Sequence, residues 1–432
     1  MPPTDADRTI ETSVVGWRCA GCGTELDIAT PLPWRCPNAT RSDRRHVLQI
    51  VRRPGPLRVE VDPDPLVAYG SELAWQAFAL ARGITTDACA ALVRQLDDRV
   101  AAVTGGVRFR RTPFHHADAL SAALDFAPGG GVWVKDETGN VAGSHKARHL
   151  VSILLHLKAA ELLGVGPRDD RLAIASCGNA ALAAAVLAAA DHRELEVFVP
   201  PTADPSIVAD LVRLRAIVTE CPRGPSEAPG DPCVHRFRDA VEAGAVPFSV
   251  QGPENALSLD AGRTLGWEMA EVLGTGLDRL FVQVGGGALA ACVGRAVLEA
   301  GSRPRLCAVQ TEGCAPLGRA WERAVEVGVP VSGEDWGTYM WPWESAPRSV
   351  AEGILDDECY DWLGVVEVME ATGGGAVVVP ESSIVRAYEL GVGATGIPAS
   401  PTGTAGLAGL VERRPDVRAQ ERVAVVFSGV AR

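Results

Sequence analysis

Lysine is nearly missing from this chain. Of its 41 Lys and Arg residues only Lys135, Lys146 and Lys158 are lysine, all within one short stretch, and every other basic side chain is arginine. Base composition accounts for such a bias, together with the wealth of Ala and Gly, yet any lysine chemistry then has only three addresses. Basic charge is short as a whole: the formal net charge is −13 and no long basic run occurs. That speaks against a nucleic-acid partner, because binding to a phosphate backbone is dominated by clustered cations. Long apolar runs are missing too. The most apolar one, Ala180 to Ala190, is too short to cross a bilayer, so no membrane partner is expected. The start, Met1 to Asp7, lacks the basic and apolar regions of a signal peptide, which predicts a cytoplasmic protein. The 11 cysteines are odd in number and scattered, unlike a disulfide framework and in keeping with a reducing compartment.

What is present is an ordinary globular balance: 432 residues, 47% apolar and 22% charged, enough for two or three domains with real cores. Residues 1–60 stand apart, with Cys19-Ala-Gly-Cys22, Cys36-Pro37, little helical periodicity and a Pro-rich exit from Pro54 to Pro65. Cys19, Cys22, Cys36 and His46 make up the four N/S ligands that structural zinc prefers. The alternative is a ribbon held by packing around Trp17 and Trp34. From about Leu66 onward, short β-branched runs alternate with helix-length stretches. Strands are predicted at Val132–Val134, Leu172–Ile174, Glu196–Val199, Leu280–Val284, Leu306–Val309 and Val423–Phe427, and helices at His149–Leu163, Asn179–Ala190, Thr264–Leu273 and Leu289–Ala300. This alternation implies one or two open, mainly parallel α/β sheets, whose sites lie beyond the carboxyl ends of the strands. Cys221 to Asp231, rich in Pro and Gly, is predicted as an internal loop.

Four turns carry chemistry. In Val132-Trp-Val-Lys-Asp-Glu-Thr-Gly-Asn-Val-Ala-Gly-Ser-His-Lys-Ala-Arg-His149 a strand and a polar loop lead to a helix with Ser144 as its expected N-cap. Lys146 then falls in the first helical turn, where the macrodipole opposes a cation and favours the neutral amine needed to attack an aldehyde. Lys135 in a strand and Lys158 on the polar side of a helix have structural readings. Ser176-Cys177-Gly178-Asn179 follows a strand and opens a helix, so it can hold a carboxylate on backbone N–H groups. Cys177 lacks a His/Asn constellation and is not read as a nucleophile. Gly285-Gly286-Gly287-Ala288 is a third such turn, suited to a phosphate, and matches neither G-x-G-x-x-G nor a Walker loop. The last predicted strand ends in Phe427-Ser428-Gly429 and places a hydroxyl at one more strand end.

In this order, the four turns resemble those of the fold-type II pyridoxal-phosphate enzymes, the group of threonine synthase, threonine and serine dehydratases, cysteine synthase and the tryptophan synthase β chain. Asn140-x-x-Gly143-Ser144-x-Lys146-x-Arg148 is similar to the Schiff-base motif. Further similarities are Gly262 to Glu268, Val309-Gln-Thr-Glu-Gly313 and Ser400-Pro-Thr-Gly-Thr-Ala-Gly-Leu407, and the likeness spans roughly Arg110 to the last residue. The N-terminal Cys knuckle is similar to one preceding some threonine-synthase-like chains. The resemblance implies two open parallel-sheet domains with helices on both faces: a large cofactor-binding domain (61–140 and 251–432) and a small mobile α/β domain (141–250), after the ribbon-like module of residues 1–60.

It also implies roles. Lys146 would bind pyridoxal 5'-phosphate as a Schiff base and shuttle the α-proton. Asn179 would meet the ring hydroxyl, and Gly285, Gly286, Gly287 and Ala288 the phosphate, with His145 beside it. Ser144, Ser176, Cys177 and Gly178 would surround the substrate carboxylate, and Ser428 would face the pyridine nitrogen. A neutral hydroxyl there leaves a weak electron sink and favours α,β-elimination or β-replacement. His145 stands where Phe is frequent in the family, and in this the chain is more similar to the tryptophan synthase β chain. Ala180-Ala181 follow Asn179 where threonine synthases often carry hydroxyl residues, which weakens a phosphohomoserine substrate. The expected function is a lyase acting on a small β-hydroxy or β-substituted amino acid, as a homodimer. Threonine synthase chemistry is the alternative, and an inactive relative using the knuckle to bind protein is a third reading. The Trp-rich stretch around Trp336, Trp341 and Trp343 is predicted to be packing in preference to a lid.

Overall fold

The computed structural model describes residues 12–41, 43–224, 230–328 and 333–432. Three sheets organise them. The first is small and antiparallel, with order β2-β1-β3, formed by β1 (Val14–Cys19), β2 (Glu25–Asp27) and β3 (Leu48–Arg52). Next in sequence come β4 (Phe114–His116) and β5 (Gly131–Asp136), then β6 (Leu172–Ala175), β7 (Leu195–Val199), β8 (Ile217–Glu220) and β9 (Val246–Pro247). The remaining strands are β10 (Arg279–Gln283), β11 (Arg305–Thr311), β12 (Gly375–Val379) and β13 (Arg422–Phe427).

A six-stranded sheet has the order β12-β11-β10-β13-β5-β4, parallel throughout except for the antiparallel edge pair β4–β5. A four-stranded, all-parallel sheet has the order β8-β7-β6-β9. Parallel sheets need cover on both faces, and the alternation along β10 provides for it. Leu280 and Val282 enter one core with Leu306 and Ala308, whereas Phe281 enters the opposite core with Val309, Val425 and Phe427. A third core joins Val14, Trp17 and Cys19 of the N-terminal sheet to the helices of residues 65–104, to helix Lys146–Leu162 and to the four-stranded sheet.

All six strands expected from the sequence form. Helices Asn179–Ala190 and Thr264–Leu273 keep the expected bounds, and the other two shift slightly, to Lys146–Leu162 and Ala288–Glu299. Residues 221–224, 230 and 231 of the expected loop are irregular, and residues 225–229 lie outside the described residues. Trp336 packs edge-on against Trp362 at 5.6 Å, while the Arg319 guanidinium lies over Trp341 at 3.8 Å and over Trp343 at 5.3 Å. That stretch is packing, as predicted. Among the described residues no helix is long and apolar enough to cross a membrane, and all 11 cysteines are free thiols.

Candidate active site

Lys146 owes its position to a loop pinned at three points. Asn140 donates through Nδ2 to Glu137 at 2.9 Å and to the Ser144 carbonyl at 3.2 Å. Ser144 forms an antiparallel bridge with Gly429. The His145 N–H donates to the Ser428 carbonyl at 3.0 Å, and the Val430 N–H to the Gly143 carbonyl at 2.9 Å. The lysine turn is thereby stitched to the segment that follows β13. Ser144 is extended, and its Oγ accepts from the Lys146 N–H at 3.4 Å. His145 already has helical dihedrals (φ −59, ψ −18), so Ser144 caps the turn in the expected way, although the hydrogen-bonded helix starts only at Lys146.

Beneath this turn Arg148 donates to Glu137 through Nε at 2.9 Å and Nη2 at 3.0 Å, and to Glu268 at 2.6 Å; Glu268 also pairs with Lys135. These four charges are buried and balance one another. Lys158 pairs with Asp191 at 2.6 Å. Lys146 is the exception: among the described residues its amine has no hydrogen-bond or ion-pair partner. Desolvation lowers its pKa, against the opposing pull of Asp356 and Asp361.

His145 donates from Nδ1 to the Ser428 carbonyl at 3.0 Å, and burial with the neighbouring Lys146 holds its pKa well below the usual value, so it is neutral. Ser176 and Gly178 close the turn after β6, with the Gly178 N–H 3.4 Å from Ser176 Oγ. Cys177 sits exposed at the tip of that turn. Desolvation and the facing carboxylates of Asp231, Glu352 and Asp356 hold its thiol protonated, which fits its reading as a bystander to nucleophilic chemistry. Asn179 opens helix Asn179–Ala190 and accepts from Arg432 Nε at 3.0 Å. A Cβ on Gly429 would stand 2.9 Å from Asn179 Nδ2 and 3.2 Å from Ser144 Cβ, so only a glycine lets these two turns meet. Ser428 is buried, and its Oγ accepts from Gln283 Nε2 at 2.6 Å.

The glycine turn joins β10 to helix Ala288–Glu299, with Gly287 at φ +98. An added Cβ on Gly285 would lie 2.3 Å from an Asp356 carboxylate oxygen, and one on Gly287 would lie 2.9 Å from Cys359 Sγ. Asp356 and Asp361 were not foreseen from the sequence. They come from an irregular segment that lies over the glycine turn, and the Asp361 N–H donates to the Gly286 carbonyl at 2.8 Å. Burial pushes Asp356 up to about 6 and Asp361 up to about 7. Asp356 faces Lys146, Cys177 and the Gly286 N–H together, so one carboxylate marks the place where three of the four turns converge. A glycine turn that opens a helix is suited to an anion, and Lys146, whose pKa desolvation lowers, lies within electrostatic reach of the carboxylate beside that turn. These residues fit a cofactor that combines an aldehyde with a phosphate.

In the N-terminal sheet Cys19, Cys22, Cys36 and His46 place their ligand atoms within 4.8 Å of one another. Cys22 Sγ and Cys36 Sγ are 3.6 Å apart, and Cys19 Sγ and His46 Nδ1 are 3.5 Å apart. Tetrahedral zinc with bonds of about 2.0–2.3 Å spaces its ligands at roughly 3.5–3.8 Å, so the cluster has the right size and donor set.

Two mainly parallel sheets, a half-buried lysine without a partner at one helix start and a glycine turn at another are the features of a lysine-dependent α/β enzyme of the kind that holds a phosphorylated cofactor. The sequence matches the family of pyridoxal-phosphate dependent enzymes over residues 107–429, and the chain belongs to that family. Solved structures share its fold. Maize serine racemase aligns with a TM-score of 0.59 at 17% identity, over 78% of this chain and 93% of that one. A threonine deaminase from T.th. aligns at 0.60 and 22% identity, over 79% and 98%. An O-ureido-L-serine synthase aligns at 0.57 and 17% identity, over 74% and 89%. No curated protein matches the sequence.

Proposed function

We propose that this chain catalyses α,β-elimination or β-replacement on a small amino acid with a β-hydroxyl or another β-leaving group. Pyridoxal 5'-phosphate, when bound, supplies an electron sink conjugated to the substrate amine. Lys146 would carry it and hold the α-proton on Nζ, a task that requires the neutral amine its desolvation favours. Gly285, Gly286, Gly287 and Ala288 would offer main-chain N–H groups to the phosphate. Asn179 would meet the ring hydroxyl, and Ser176 with the Gly178 backbone the substrate carboxylate.

The observation that carries this reading is Ser428. Its hydroxyl, at the end of β13, is partnered by a neutral amide and not by a carboxylate. A neutral group opposite the ring nitrogen does little to stabilise charge there, so a substrate that can expel a β-group is favoured over one that only exchanges its α-proton. The cleft also bears on substrate charge. Asp231, Glu352 and Asp356 all act on Cys177, in the turn proposed for the substrate carboxylate, which disfavours a second phosphate and so the threonine synthase alternative.

The test is a substrate panel of serine, threonine, 3-hydroxyaspartate, diaminopropionate, O-acetylserine and O-phosphohomoserine, read for keto acid, phosphate and chirality. Keto acid formation that Lys146→Ala abolishes is expected. Threonine plus phosphate from O-phosphohomoserine would overturn it in favour of threonine synthase, and D-amino acid without keto acid would indicate a racemase. No turnover of any substrate would favour the inactive relative.

We also propose that the N-terminal cluster binds structural zinc, supported by the ligand spacing above. Metal analysis of wild type and Cys19→Ser should show about one zinc per chain in the first and a loss in the second. Equal content would remove the site.

A further inference from the structure

The amide of Gln283, the last residue of β10, points Nε2 at four acceptors: Ser428 Oγ at 2.6 Å, the Gly403 carbonyl at 2.9 Å, and the Thr402 and Val426 carbonyls at 3.2 Å each. Its Oε1 is buried without a partner, against Gly406. That fixes the amide's orientation, because the flipped form would press an oxygen against three carbonyls and a hydroxyl. A side-chain amide has two hydrogens, and the two shortest contacts assign them to Ser428 Oγ and the Gly403 carbonyl. A hydroxyl that must accept from Gln283 keeps its own hydrogen for another partner, and among the described residues Gln283 is its only hydrogen-bond partner.

We propose that Gln283 is the positioning residue that sets the polarity of the Ser428 hydroxyl, so that Ser428 keeps its hydrogen for the pyridine nitrogen of the cofactor and donates to it. This rests on the placement of Ser428 in the proposed function. Its consequence is chemical. A nitrogen that receives a hydrogen bond from a neutral hydroxyl stays unprotonated, whereas one facing a hydroxyl lone pair gains by taking up a proton. Gln283 would thereby hold the ring in the form that suits elimination and works against racemisation.

Substitution can reverse the polarity. Gln283→Glu, once ionised at high pH, offers a carboxylate that accepts the Ser428 hydrogen and turns a lone pair toward the ring; at lower pH the surrounding carbonyls favour its acid form, which donates as Gln283 does. Gln283→Met removes the donor at similar size and lets the hydroxyl turn to a nearby carbonyl. The readout is the ring-nitrogen NMR shift of holoprotein loaded with ¹⁵N-labelled pyridoxal phosphate, followed against pH. In Gln283→Glu the nitrogen should move toward the pyridinium position, with its titration raised by about one pH unit, a tenfold change. In Gln283→Met it should move toward the free-pyridine position seen in Ser428→Ala. If Ser428→Ala shifts the signal and both Gln283 variants keep the wild-type one, Gln283 is merely structural and the proposal falls. If Ser428→Ala itself leaves the signal unmoved, the placement of Ser428 is wrong instead. Should Gln283→Glu fail to fold, Gln283→Met decides alone.

Discussion

At the scale of single residues the site is defined by which charges are paired and which are not. Lys135 and Lys158 are held by carboxylates, and Lys146 is not. Arginine could not serve in its place, since a guanidinium does not lose its proton in a protein. Asp361 is the acidic counterpart. Its Oδ2 accepts from the Gly252 N–H at 3.1 Å, and its Oδ1 is buried without a partner. Burial lifts this carboxyl from 3.8 to about 7. Between those values the folded chain binds more protons than the unfolded one, so the group's contribution to stability falls as pH rises from about 4 to about 7 and stays low above that. Asp361→Asn keeps an oxygen for Gly252 and cannot ionise. The apoprotein variant should therefore be more stable than wild type at pH 8, by about 4 kcal/mol at most, with the gain vanishing near pH 4. Denaturant midpoints at the two pH values check this; a variant less stable at pH 8 would show that the charged form is offset by Lys146.

At the scale of elements, the turns matter more than the strands and helices they connect. Gly287 has φ +98 and sits under Cys359 and Asp361. Gly287→Ala should add about 1–2 kcal/mol of backbone strain and push away the segment above it. Cofactor retained after gel filtration should fall at least tenfold while the far-UV circular dichroism stays unchanged. Full retention would sink the phosphate assignment of this turn. The strands named from the sequence are the apolar, buried ones, because continuous β-branched runs announce themselves. β12 was missed despite its run of three valines, but three other unforeseen strands have physical reasons to be silent. β4 is Phe-His-His at a sheet edge, β9 has only two residues, one of them proline, and β8 is an exposed edge strand. The residues of the candidate site divide in the same way. Lys146, Asn179, Gly285–Gly287 and Ser428 were legible because each sits where a strand gives way to a glycine-bearing turn. Asp356 and Asp361 were not, because an irregular segment carries no period, and Gln283 reads as one more residue of a buried strand until its partner 145 positions away is known.

At the scale of the whole molecule, electrostatics set the terms on which an anion can enter. The chain carries a net charge of −13, and the cleft repeats that sign locally through Asp231, Glu352, Asp356 and Asp361. A phosphate reaching the glycine turn meets Asp356, whose carboxylate already faces the Gly286 N–H. Two like charges at such range in a partly desolvated cleft repel by a few kcal/mol at an effective dielectric constant of about 20. Asp356→Asn removes the charge and keeps the shape. Its apoprotein should bind pyridoxal phosphate about tenfold more tightly than wild type at pH 8, roughly 1.4 kcal/mol. The sign follows from a carboxyl pushed up to about 6: above that pH it is charged and opposes the phosphate, and below it the two proteins should converge. Fluorescence titrations of both apoproteins at pH 5 and pH 8 measure the difference. Weaker binding by the variant at both pH values would mean that Asp356 donates a hydrogen bond to the phosphate as an acid, and that the cleft keeps its negative charge for the substrate.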